Sequence, residues 1–223
     1  MKVLYSDLGI KIEITENEVY SIVLENPDDM KKFVEELWNQ SNGDDGKIIV
    51  SDNEKIVRFD KVCDVVLDPF SINLNSRKII NKLYADMEIM GNERPEEMGD
   101  INSRVVNLID IFTTSLGYCN VEYNLDFKWT DIFKIYNLRF ADNYENLVEK
   151  ISYYIKIISE MTESKVLFLV NMKSFFSKDE LENIYRTAMY NKIGLVMVDS
   201  QRNVDIESEK VYIVDKDHCL ILI

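Results

Sequence analysis

The sequence predicts an α/β protein: a mixed-sheet head assembled from both ends of the chain, with a helical subdomain inserted between them. Three observations carry this expectation. Apolar runs of strand length fill the first and last thirds. In the last third they alternate with a helix-period segment, the strand–helix–strand pattern of a sheet with helices packed on it. The middle of the chain, residues 69–155, reads mostly as successive helices. The predicted division is therefore 1–68 with 156–223 for the head and 69–155 for the helical leg.

Taken in order, strands are expected at Val3–Tyr5, Lys11–Ile14 and Tyr20–Leu24. Asn26-Pro27-Asp28-Asp29 starts a helix, with Asn as cap, Pro in the first turn and acids at the positive dipole end. That helix runs to about Gln40, and short strands follow at Ile48–Val50, Ile56–Phe59 and Val65–Leu67. Helical spacing covers Asn75–Met90 and Ile101–Leu116, with Gly91–Gly99 and its Pro95 as the break. Gly117–Phe127 reads as extended, Thr130–Tyr136 as a short helix and Tyr144–Met161 as a long one. The continuous apolar run Val166–Val170 suits a strand buried on both faces. Ser177-Lys-Asp-Glu180 has capping-box form and opens a helix to about Asn191, followed by strands at Gly194–Val198, Val211–Val214 and Cys219–Ile223.

The chain has 223 residues, 46% of them hydrophobic, with 7 Gly and 3 Pro, so a disordered or collagen-like protein is excluded. The net charge of −14 taken alone argues against a nucleic-acid partner, but it says nothing of how the charge is distributed. Cys63, Cys119 and Cys219 form no CxxC pair and read as single buried thiols of a reducing cytosol. The N-terminus is not of signal-peptide form, and the apolar runs fall far short of the ~20 residues a membrane span needs, so a soluble cytoplasmic protein is expected.

A strand entering a helix at Tyr20–Asp29 is where a nucleotide hydrolase would hold phosphate. A phosphate cradle needs converging backbone N–H groups, usually from glycines, and a lysine. Glu25-Asn26-Pro27-Asp28-Asp29 has no glycine, loses one amide to Pro27 and carries three carboxylates. A metal-dependent nuclease would use clustered carboxylates beside a lysine, for which Glu163-Ser-Lys165 and Glu207-Ser-Glu-Lys210 are the candidates. Both read as solvated surface, and the single His218 reads as a strand-edge surface residue. Catalytic residues are therefore not assigned. Oxygen donors gather at Glu122-Tyr-Asn-Leu-Asp126 with Asp131 nearby, a calcium-type composition without EF-hand spacing. Aromatics such as Phe33, Tyr84 and Phe112 occupy apolar helical positions and are expected in the core. Lys128, Lys134, Arg139, Lys150 and Lys156 punctuate the helical insertion, and spacing alone makes them ordinary surface charges.

Three segments resemble a known family. They are Tyr20–Pro27 running into Phe33–Leu37, Asp64–Asn75 continuing to Tyr84, and Lys165–Asn171 with Phe176–Glu180. Together they resemble the CRISPR-associated Csn2 proteins, accessory adaptation proteins of type II-A systems, and the match runs along nearly the whole chain. The resemblance implies a ring-shaped homotetramer whose α/β head is related to nucleotide-hydrolase folds but lacks the phosphate-binding loop. It implies a non-enzymatic protein that threads double-stranded DNA from an end and acts in spacer acquisition beside the integrase pair and the RNA-guided effector nuclease. It also implies calcium near the leg, at Glu122, Asp126 and Asp131, with Asn124 in a stretch where relatives are more acidic. In such a ring, acids can lie outside while Lys128, Lys134, Arg139, Lys150 and Lys156 face a DNA-binding bore. The alternative is a metal-dependent nuclease or phosphohydrolase on a degenerate nucleotide-binding fold. A third reading is a protein-binding scaffold that touches no DNA.

Overall fold

The computed structural model describes residues 1–16, 18–117, 121–124, 127–202 and 204–223. In chain order, β1 (Lys2–Tyr5), β2 (Ile10–Glu13) and β3 (Val19–Leu24) lead into α1 (Pro27–Ser41). Then come β4 (Ile48–Asp52), β5 (Lys55–Val57), α2 (Phe59–Val62) and β6 (Cys63–Val66). The helical stretch holds α3 (Arg77–Asn92), α4 (Pro95–Leu116), α5 (Trp129–Ile135) and α6 (Leu147–Met161). The last third is β7 (Val166–Val170), α7 (Lys178–Tyr190), β8 (Gly194–Asp199), β9 (Glu209–Val214) and β10 (Leu220–Leu222).

Two sheets result. A four-stranded antiparallel sheet has the order β2-β1-β4-β5, and a six-stranded mixed sheet has the order β10-β9-β3-β8-β7-β6. In the larger sheet every pairing is parallel except β9 with β10, so the α/β class with a mixed sheet is borne out. Its central strands β3, β7 and β8 are buried at every residue, which requires cover on both faces. One cover is α1 with the small sheet: Phe33 and Leu37 share a buried cluster with Tyr5, Ile12, Phe168 and Val196. The other is α6 with α7, whose Ile151, Ile155, Leu181 and Ile184 join Val19, Leu167 and Leu195 in a second cluster. Truncating one of these leucines or isoleucines to Ala would cost about 2–5 kcal/mol.

The chain divides into two compact units, Met1–Leu74 with Asp142–Ile223, and Asn75–Ala141. The joins thus fall at 74/75 and 141/142, where the sequence predicts 68/69 and 155/156. Helix α6 accounts for most of the shift at the second join. Its i, i+4, i+7 isoleucines 151, 155 and 158 are legible as an apolar stripe, but periodicity does not name the surface they cover, which is the large sheet. In the second unit α3 contacts both α4 and α5, and Gly91 lies so close to Trp129 that a Cβ there would sit 2.6 Å from the indole.

Several local expectations are corrected. The break expected over Gly91–Gly99 narrows to Glu93 and Arg94, and Pro95 begins α4, because a proline at the first helical position loses no bond and Glu96 and Glu97 favour the positive end. The strand predicted through Phe59 stops at Val57, and Phe59 turns inward on α2 to stack on Phe168. Phe112 is 60% exposed instead of packed in a core, and Cys219 is exposed while Cys63 is buried. Cys119 lies outside the described residues.

Candidate functional site

The turn from β3 into α1 is where a nucleotide-binding fold would present its phosphate site, and here it is closed by its own side chains. Asn26 Oδ1 accepts the Asp28 N–H at 2.9 Å, and Pro27 has no N–H to offer. Asp29, with a side chain 6% exposed, lies 2.6 Å from His218 Nδ1. This pair ties the α1 N-terminus to the β9–β10 hairpin, so His218 is more than a strand-edge surface residue. Beside it, an apolar cavity of about 400 Å³ is walled by Leu24, Pro27, Met30, Val34 and Val170, the reverse of what a triphosphate requires.

The predicted basic residues fall in both units. Lys128 precedes α5 as its N-cap residue, Lys134 lies in its last turn, and Arg139 follows it. Lys134 and Arg139 are exposed, and so is Lys156. Lys134 Nζ is 3.7 Å from Asp131 Oδ1. Lys128 borders a cavity of about 420 Å³ formed by Gly91, Pro95, Met98 and Trp129. In the first unit, Lys150 and Lys156 stand on α6, and Lys150 Nζ donates to the Phe70 carbonyl at 3.4 Å. Six residues of α-helix turn these two side chains about 120° apart, so they do not share one face.

Of the predicted metal ligands, Asp126 lies outside the described residues. Asp131 is the N3 residue of α5, and its Oδ2 accepts the Lys128 N–H at 3.0 Å. Glu122 is exposed on irregular chain. Among the described residues no three His, Cys, Asp or Glu side chains come together in a metal-binding group. Asp131 alone is therefore placed by a helix, with one oxygen engaged in capping and the other facing Lys134. The donors are of the hard-oxygen type that calcium takes, but the described part of the set does not converge.

The family model for CRISPR-associated protein (Cas_Csn2) matches residues 40–218, most of the chain. The chain belongs to the Csn2 family. Two curated Csn2 proteins are similar to it: one from Streptococcus agalactiae, 24% identical over 162 residues, and one from Enterococcus faecalis, 19% identical over 161 residues. Each alignment covers 70% of this chain and 70% of the relative. Among solved structures, a "Putative ABC transporter (ATP-binding protein)" from Pyrococcus furiosus is similar at a TM-score of 0.37 and 13% identity, covering 91% of this chain and 88% of the other. A likeness of that size carries no argument. Among the described residues of this Csn2-family chain, no helix is long and apolar enough to cross a membrane.

One polar cluster is hidden from sequence pattern. Glu207–Lys210 reads as solvated surface, yet the Glu209 side chain is 1% exposed. Lys173 Nζ donates to Glu209 Oε2 at 2.7 Å and to Ser21 Oγ at 3.0 Å, and the Tyr185 hydroxyl donates to Glu209 Oε1 at 2.5 Å. Burial and the Glu209 charge hold the Tyr185 phenol far above its usual range. The signals in the sequence are weak: a lysine just past a buried strand, in Asn171-Met-Lys173, and an aspartate ending the apolar run of β8. Neither says that the polar ends meet.

Proposed function

We propose that this Csn2-family chain is a non-enzymatic, double-stranded DNA-end-binding protein of CRISPR spacer acquisition, working as a calcium-assisted homotetrameric ring in the cytoplasm beside the integrase pair and the RNA-guided effector nuclease. Family membership across residues 40–218 carries the reading. Three structural features support it.

The closed α1 N-terminus, with its apolar neighbour cavity, leaves a nucleotide-hydrolase mechanism without its anion site. The acid excess is uneven: the Asn75–Ala141 unit holds 8 of the 26 Lys and Arg and 10 of the 40 Asp and Glu, so it is close to neutral. A DNA-facing surface on that unit, at Lys128, Lys134 and Arg139, would work against little of the chain's total charge, and Lys150 and Lys156 would supply a second contact from α6 of the other unit. Lastly, α4 buries none of its 22 residues and exposes Leu108, Ile111, Phe112 and Leu116, an apolar surface suited to covering by another subunit. Calcium at Glu122, Asp126 and Asp131 would neutralise acids close in sequence to the DNA-facing lysines, and bind with only hard oxygen ligands.

Binding through phosphates is sequence-independent and salt-sensitive. Titration of duplexes of unrelated sequence should give equal affinities that fall steeply with salt, log–log, with a slope of about −0.9 per neutralised phosphate. Reversing Lys128, Lys134 and Arg139 together to Glu should weaken binding at least tenfold and flatten that slope. Unchanged affinity would remove these residues from the interface. Incubating end-labelled DNA with magnesium or manganese tests the nuclease alternative: shortened product would replace the binding reading with an enzymatic one.

A further inference from the structure

The face of the large sheet that α7 covers is not wholly apolar. Register places Val19 beside both Leu195 and Glu209, and Val23 beside Asp199. Side chains alternate along strands, so Ser21, Asp199 and Glu209 leave the sheet on the same side. Lys173, from the turn after β7, reaches across to Ser21 and Glu209, and Tyr185 of α7 takes the second Glu209 oxygen. Glu209 is thereby satisfied at both oxygens, by a side-chain ammonium and a phenol.

Asp199 has the opposite situation. It is 2% exposed, and neither carboxylate oxygen has a hydrogen-bond partner. An ionised carboxylate left so would be costly to bury, and the buried Lys173 ammonium nearby is already committed to Glu209. The groups that face Asp199 are the ammonium and the backbone N–H of Lys173 from the turn after β7, Glu209 from β9 and Tyr185 from α7; both Lys173 groups favour the ionised carboxyl, and burial and Glu209 oppose it. The Lys173 and Glu209 side chains are 2% and 1% exposed, so the cluster is sealed from solvent.

We propose that Asp199, Lys173 and Glu209 form a proton-operated latch in the α/β unit. With Asp199 protonated, the Lys173 ammonium stays on Glu209 and pins the start of β9 to β3 and α7. With Asp199 ionised, a second buried carboxylate competes with Glu209 for the one ammonium, whose third N–H is free to turn toward it while the other two hold Ser21 and Glu209. The ammonium is drawn toward Asp199, and the hold on β9 loosens. Burial above all, with the Glu209 charge, lifts the Asp199 carboxyl to about 6 against the opposing pull of the Lys173 charge. The latch therefore works in the range between a mildly acidic and a neutral medium.

Hydrogen exchange on the full chain tests this. Exchange in the Glu209–Val214 segment is measured at pH 5.0 and 7.5 and corrected for the intrinsic pH dependence of amide exchange. The wild type should lose protection there at pH 7.5, by up to about tenfold, because a carboxyl held at about 6 releases its proton between these two pH values while that of the opened chain is already ionised at pH 5.0. Asp199→Asn should keep its pH 5.0 protection at both values. Equal pH dependence in the variant and the wild type, or none in the wild type, would overturn the proposal. Asp199→Val serves as a second fixed-neutral variant. A second readout needs no substitution: carbon-detected NMR titration of the assigned Asp199 carboxyl in the wild type. A midpoint near the value of about 6 is expected. A midpoint no higher than that of an ordinary exposed aspartate would overturn the latch.

Discussion

Asp29 and Asp199 are both buried carboxylates, and the chain treats them differently. Asp29 is given His218, whereas Asp199 is given no partner while Lys173 serves Glu209. Two expected outcomes follow from that asymmetry. Lys173→Met leaves Glu209 buried without its cation and should cost about 3–5 kcal/mol of stability, read as a lowered denaturant midpoint. For Asp199 the sign is opposite to that of a salt-bridged carboxylate. Its folded value of about 6 exceeds the ordinary 3.8, so the folded chain keeps a proton that the unfolded chain has released. Stability due to this residue is present at low pH and is lost as pH climbs through that window. Glu18, held down to about 2 by Lys210, Tyr20 and Thr15, acts in the other direction and loses its contribution as pH falls. Melting curves of Asp199→Asn and wild type should therefore coincide at a pH near the ordinary carboxyl value and separate at neutral pH, with the variant more stable. None of this is legible in the sequence. Glu209 stands in a run, Glu-Ser-Glu-Lys, indistinguishable from surface, and only the parallel pairing of β3 with β8 and β9 brings it near Lys173.

At the scale of elements the sequence is far more informative, because strands and caps are written in local patterns. The β7 and β8 runs are continuous apolar segments, and both are buried throughout. The Ser177–Glu180 capping box forms as its spacing predicts, with Glu180 Oε2 accepting the Ser177 N–H at 2.8 Å. Ser177→Ala should thus cost about 1 kcal/mol, seen as a lowered melting temperature with the fold unchanged. Pro95 shows where local pattern misleads: a proline can end one helix or start another, and Glu96 and Glu97 after it tell the second use from the first. Gly91 carries a packing role. Any side chain there meets the Trp129 indole, so Gly91→Val should unseat α5 from α3, read as altered Trp fluorescence. Helix α4 is legible as amphipathic, but its pattern cannot say whether the apolar stripe faces its own chain. Leu108 and Phe112 on it are exposed. Leu108→Glu with Phe112→Glu should shift the chain to smaller assemblies in sedimentation, and an unchanged assembly would exclude α4 from the subunit contact.

For the whole molecule, the net charge of −14 and the proposed DNA partner are compatible only if charge is distributed unevenly between units and surfaces. The assembly needed for this, and the residues that would line its bore, depend on how copies of the chain come together, which strand and helix patterns do not encode. The α/β class is legible because strand and helix periods differ. The family is legible in segments such as Asp64–Asn75, a strand with its following turn, which carry no catalytic signature. The candidate calcium set is legible only as composition, since convergence of oxygens is a property of folded or assembled chains. The functional reading stands or falls on whether DNA enters the assembly from an end. The decisive experiment is a mobility-shift titration of linear against covalently closed circular duplex, with calcium and then with chelator. A shift of the linear form alone is expected, lost on chelation and at high salt. Equal binding of circles would refute end threading, and binding of neither form would refute the DNA partner itself.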